Sequence, residues 1–144
     1  MEDEKKTPLL VVDDEETLRH MLTLLLEKQG FAVTACASAE DALKELQAGR
    51  FRLVLSDVRM PGKDGRWLLE QVREKELRVA FVMMSAYVDQ DVAVECLKLG
   101  ARDYLLKPVR STRLVELLQE IAREIQQEKN EQRTIEIVKG SLRK

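Results

Sequence analysis

Five short apolar runs, "LLVVD" (9–13), "AVTACA" (32–37), "LVLSD" (53–57), "AFVMMS" (80–85) and "DYLLK" (103–107), recur along the chain with a longer amphipathic stretch after each. The runs have strand length, and several lack the polar alternation of a half-exposed strand, as expected where both faces of a sheet are covered. Between them helical spacing takes over. Leu18, Met21, Leu22 and Leu25 share a face, as do Ala39, Ala42, Leu43 and Leu46, and Leu114, Leu117, Leu118 and Ile121. Ser38 followed by Asp41 resembles a capping box, Gly30 and Gly49 follow helix ends, and "MPGKDG" and "KPV" read as turns. The rhythm is strand then helix, five times. It predicts an α/β fold with a parallel sheet and helices on both faces, in which ligands sit at the carboxyl ends of the strands.

The residues at those ends are not ones a buried strand would choose for stability. The first run ends on Asp13 and Asp14, the third on Asp57, the fourth on Ser85 and the fifth on Lys107. Any one strand-end aspartate is more often a cap or turn residue, but convergence of all five on one rim calls for chemistry. Carboxylates repel unless a cation holds them together, and hard oxygen donors with water nearby suit Mg²⁺. A carboxylate beside such a cation can attack phosphorus and form an aspartyl phosphate. The lysine and hydroxyl would then engage the phosphoryl oxygens.

Charge and hydropathy narrow the class. The 24 Lys/Arg and 26 Asp/Glu give a net charge of −2, without the basic excess of a strong nonspecific nucleic-acid binder. No apolar run approaches the roughly 20 residues of a membrane span, and "MEDEKKTP" is charged where a signal peptide needs an apolar core. A soluble, cytoplasmic chain is expected. Cys36 and Cys96 sit far apart in apolar segments and read as buried small hydrophobes. His20, with no partner at metal spacing, reads as a helix-edge residue, and Trp67 as one that packs at an edge.

In order and spacing, "VVDDE", "SDVRMPGKDG", "MSAY" and "GARDYLLKP" closely resemble the receiver domain of two-component response regulators, over essentially residues 8–126. The resemblance implies a flavodoxin-like doubly wound (βα)5 sandwich, strand order 2-1-3-4-5, in which Asp57 accepts a phosphoryl group from a sensor histidine kinase. It implies that Asp13, Asp14 and Asp57 hold Mg²⁺ with the backbone carbonyl of Arg59. Ser85 and Lys107 are then the phosphate contacts, Ser85 and Tyr104 the switch pair, and Lys107–Pro108 a cis peptide. Arg59 and Tyr87 flank the site and are expected to influence phosphate lifetime. The output is expected on the face built from the fourth helix, fifth strand and fifth helix, and the domain is expected to be a signalling module, not an enzyme.

Residues 1–7 are expected to form a disordered tail. Residues 127–144 are expected to extend the last helix as a linker, with Leu114, Leu118, Ile121, Ile125, Ile135 and Leu142 on a broken heptad seam that points to a coiled coil or homodimer contact. "SDVRMPGKDG" and "GARDYLLKPV" look most like nitrogen-regulation-type receivers, which precede an AAA+ ATPase and a helix-turn-helix in sigma-54-dependent activators. Neither a GxxxxGK[ST] loop nor a recognisable helix-turn-helix occurs in the sequence, so an output domain is expected elsewhere in a longer regulator. A haloacid-dehalogenase-like hydrolase would need an acid two residues past the nucleophile, where Arg59 stands. A module that only dimerises constitutively would be expected to have lost rim residues.

Overall fold

A computed structural model of the chain describes residues 5–143. Residues 1–4 of the expected tail, and Lys144, lie outside the described residues. The strands are β1 (Thr7–Val12), β2 (Phe31–Cys36), β3 (Leu53–Asp57), β4 (Ala80–Ser85) and β5 (Asp103–Leu106). The helices are α1 (Glu16–Glu27), α2 (Ala39–Gln47), α3 (Gly65–Glu74), α4 (Gln90–Lys98) and α5 (Ser111–Leu142), with a 3₁₀ turn over Tyr87–Asp89 leading into α4. The first strand opens at Thr7, inside the stretch assigned to the tail, because the Thr7 N–H donates to the Gly30 carbonyl at 3.2 Å.

All strand pairs are parallel, as the strand–helix rhythm predicts, and the order is β2-β1-β3-β4-β5, as the receiver resemblance implies. Alternation along each strand divides the core in two. Leu10, Val12, Val54, Phe81 and Met83 face one way and meet buried residues of α2, α3 and α4. Leu9, Val11, Leu55, Val82 and Met84 face the other and meet α1 and α5. Each fully buried Leu or Phe contributes about 1.5–3 kcal/mol relative to exposure, so these strands hold the layers together by burial on both faces. Cys36 and Cys96 are free thiols in the first of these clusters.

Local signals set the helix starts. Ser38 Oγ accepts from the Asp41 N–H at 3.1 Å at the head of α2, and Asp64 Oδ1 accepts from the Trp67 N–H at 3.0 Å at the head of α3. The last helix departs from the expected seam. Leu114, Leu118, Ile121 and Ile125 are buried against the domain itself, which removes them from any contact between helices of two copies. Past them α5 runs on through Gly140, and Ile135, Ile137, Val138 and Leu142 are exposed. No helix among the described residues is long and apolar enough to cross a membrane.

Candidate functional site

The strand order reverses between β1 and β3, and a doubly wound sheet opens a crevice at such a point. Val12 is in register with Ser56, so the next residues, Asp13 and Asp57, emerge side by side. Ser85 ends β4 in register with Leu106 of β5, and Lys107 follows it. Parallel register therefore delivers the four side chains to one edge.

Asp13 is fully buried, Asp57 nearly so, and Asp14 is exposed. A buried carboxylate is costly unless it is paired, and each has partners. Asp13 Oδ1 accepts from the Glu15 N–H at 2.8 Å, while its backbone carbonyl accepts from the Arg19 guanidinium at 2.8 Å. Lys107 Nζ reaches both acids, 2.6 Å from Asp57 Oδ2 and 3.4 Å from Asp13 Oδ2. Asp57 Oδ1 accepts from the Arg59 N–H at 3.3 Å.

Burial pushes the Asp57 carboxyl above its ordinary pKa, and the hydrogen bond and charge of Lys107 hold that rise back. Burial works against the charge on Lys107, yet Asp57 and Asp13 outweigh it, so its ammonium is held above the usual range.

A carboxylate oxygen from each of Asp13, Asp14 and Asp57 lies within 4.8 Å of the others. Three hard oxygen donors, one of them facing solvent, form a set that fits Mg²⁺, which favours a few carboxylates and retained waters over a closed protein cage.

Ser85 is fully buried and its hydroxyl donates to the Ala86 carbonyl at 2.9 Å. Tyr104 is half-buried on β5 and packs against the core cluster of α2, α3 and α4. The Lys107–Pro108 peptide is cis, as expected. His20 is exposed on α1, and Trp67 packs partly buried on α3 with Lys63 Nζ 4.6 Å from its ring centre.

Three residues that sequence reasoning passed over shape the site. Gly65 opens α3 directly against the end of β3, where an added Cβ would overlap the Asp57 carbonyl oxygen. Glycine at the first helical position is a poor helix choice, and that oddity was the available signal. Ser56 Oγ donates to the Asp57 carbonyl at 3.0 Å. Asp89, buried in the 3₁₀ turn, takes Arg59 as its partner at 2.6 Å, a pairing across 30 residues that no local pattern announces.

Residues 9–119 match the model of the response regulator receiver domain. The chain belongs to the response regulator receiver family. Its curated relatives include the transcriptional regulatory protein FixJ of Bradyrhizobium diazoefficiens, 37% identical over 83% of this chain and 58% of that protein. The response regulator FleR of Pseudomonas aeruginosa is 41% identical over 76% of this chain and 23% of FleR. The receiver thus spans between about a quarter and three-fifths of these relatives. Among solved structures, a putative response regulator from Chloroflexus aurantiacus is 34% identical with a TM-score of 0.76, covering 81% of this chain and 98% of that one. A receiver domain protein from Clostridium thermocellum, 28% identical, gives a TM-score of 0.77 over 82% of this chain and 96% of its own. The receiver is a signalling domain of two-component regulators, and receivers bind Mg²⁺ at the acidic pocket that Asp13, Asp14 and Asp57 form here.

Proposed function

We propose that Asp57 is the phosphoacceptor of this receiver, taking its phosphoryl group from a sensor histidine kinase. The observation that carries the reading is the convergence of Asp57, Asp13 and Lys107 within hydrogen-bonding reach at the switch point of the sheet. An Asp57 oxygen forms the new P–O bond as the donor's P–N bond breaks, and the donor imidazole leaves with the electron pair. Lys107, already charged and aimed at Asp57, transfers its hydrogen bond to a phosphoryl oxygen. Asp13 and Asp14 with Asp57, and the Arg59 carbonyl, would hold Mg²⁺. When bound, Mg²⁺ supplies positive charge against the crowded carboxylates and the phosphoryl oxygens.

Phosphorylation adds close to two negative charges and three acceptors. Ser85 then exchanges its Ala86 carbonyl for a phosphoryl oxygen, and Tyr104 turns into the space this opens. The readout is the α4-β5-α5 face, where Val94, Leu97 and Leu106 lie exposed as a receptive apolar surface. The partners are a histidine kinase, a second copy joined through that face or the end of α5, and an output domain of the AAA+ and DNA-binding kind. This places transcription under the control of Asp57.

Fluorine NMR of beryllofluoride with Mg²⁺ tests the reading. A bound resonance in the unsubstituted chain that disappears in Asp57→Asn supports it, and an unchanged resonance in that variant refutes it.

A further inference from the structure

Asp89 stands at the N-terminal boundary of α4, where an aspartate ordinarily accepts a hydrogen bond from a backbone N–H of the first turn. Here its carboxylate makes no such cap. It lies buried and accepts instead from Arg59, at 3.2 Å from Nε and 2.6 Å from a terminal nitrogen, both directed at Oδ1. Arg59 is tied to the acceptor aspartate at its other end, through the N–H that donates to Asp57 Oδ1. One residue therefore links the rim to the start of α4.

The two ends compete. A guanidinium forks onto a carboxylate or a phosphoryl group by the same planar geometry. A phosphoryl group on Asp57 would place near two negative charges beside the Arg59 backbone, against the single charge of Asp89. The Gln90 N–H already donates to the Tyr87 carbonyl, so the donors a released Asp89 carboxylate could cap are the next first-turn N–H groups of α4, those of Asp91 and Val92.

We infer that Arg59 and Asp89 form an exchange device. In the unphosphorylated receiver Asp89 holds Arg59 in reserve and leaves α4 without a side-chain cap. Phosphorylation draws the guanidinium onto the phosphoryl oxygens, and Asp89 turns to cap α4. Arg59 is then a positioning residue for the phosphoryl group, and the first turn of α4 tightens in step with it. The inference rests on the Asp57 reading and adds a second route from the rim to the α4 face, separate from Ser85 and Tyr104.

Hydrogen exchange of the Asp91 and Val92 amides, with and without Mg²⁺ and beryllofluoride, tests it. In the unsubstituted chain these amides should slow about fivefold on ligand binding, the factor a side-chain cap supplies. Arg59→Gln should slow them by a similar factor without ligand, since Asp89 is already free to cap. Asp89→Ala should abolish the slowing in both states while beryllofluoride still binds. Ligand-independent exchange in Arg59→Gln equal to that of the unsubstituted chain overturns the exchange device, as does full slowing in Asp89→Ala. Absence of beryllofluoride binding by the unsubstituted chain defeats the Asp57 reading instead, and the Arg59→Gln comparison, made without ligand, still decides the competition for Asp89.

Discussion

Gly65 sits so close to Asp57 that a single added carbon at its Cα would overlap the Asp57 carbonyl oxygen. The Gly65 N–H also donates to the Val58 carbonyl at 3.0 Å, so the head of α3 is fastened to the residue just past the candidate acceptor. The close approach leaves room for neither a methyl group nor a shift of the loop without cost to the rim.

Gly65→Ala is therefore expected to destabilise the domain by about 1–3 kcal/mol, the range for overpacking a tight site, despite the better helix propensity of alanine. Urea denaturation checks this through a lowered midpoint at unchanged slope. A midpoint equal to or above that of the unsubstituted chain would show that the approach is not a constraint.

Lys107 is the counterion of two acids. Lys107→Ala leaves Asp13 and Asp57 with less positive charge around them, so Mg²⁺ should bind more tightly while the response to a phosphoryl mimic is lost. Calorimetric titration with Mg²⁺ measures the first effect and the chemical shift of Tyr104 with beryllofluoride the second. Weaker Mg²⁺ binding in the variant would mean that Lys107 organises the acids more than it competes with the metal.

Burial pushes the thiols of Cys36 and Cys96 up from 9.0 to about 11. The unfolded thiols ionise near 9.0, whereas the folded ones stay neutral until about 11. The stability this contributes is fully present below pH 9 and is lost as pH rises toward 11. Iodoacetamide should modify neither cysteine appreciably in the folded receiver at neutral pH, and both after unfolding in urea. Rapid modification of the native chain would contradict their placement.

The end of α5 presents Ile135, Val138 and Leu142 at spacings of three and four on one exposed helix face. If that face joins two copies, Ile135→Glu with Val138→Glu should lower the molar mass measured by light scattering from that of a dimer to that of a monomer, with the thermal midpoint of the domain little changed. A monomeric unsubstituted chain, or a doubly substituted one still dimeric, would move the contact to the α4-β5-α5 face or remove it. Glu128, which meets Arg52 at 3.6 Å and Arg78 at 2.9 Å, ties the helix to the domain one turn past the buried seam.

What was legible in the sequence was whatever burial or spacing enforces. Residues 53–57 and 80–85 form strands over the expected spans because both faces are covered, and their polar ends reveal the rim. The seam of α5 was harder, since Leu114 and Ile125 facing the domain's own core carry the same pattern as residues facing another helix. Periodicity gives a face but not its occupant. Gly65, Ser56 and Asp89 were missed for different reasons: Gly65 shows only as an unfavoured residue at a helix start, Ser56 bonds the adjacent Asp57 carbonyl in a way residue type alone does not announce, and the Arg59–Asp89 pair, 30 residues apart, leaves no trace in local spacing.

Asp57 as the phosphoacceptor is tested most directly by incubating the chain with Mg²⁺ and a small acyl phosphate, then locating the label by mass spectrometry. One phosphoryl group should appear, on the peptide that contains Asp57, and should be absent from Asp57→Asn with the fold intact by circular dichroism. Full labelling of Asp57→Asn, or a label mapped to another residue, would contradict the assignment of the site.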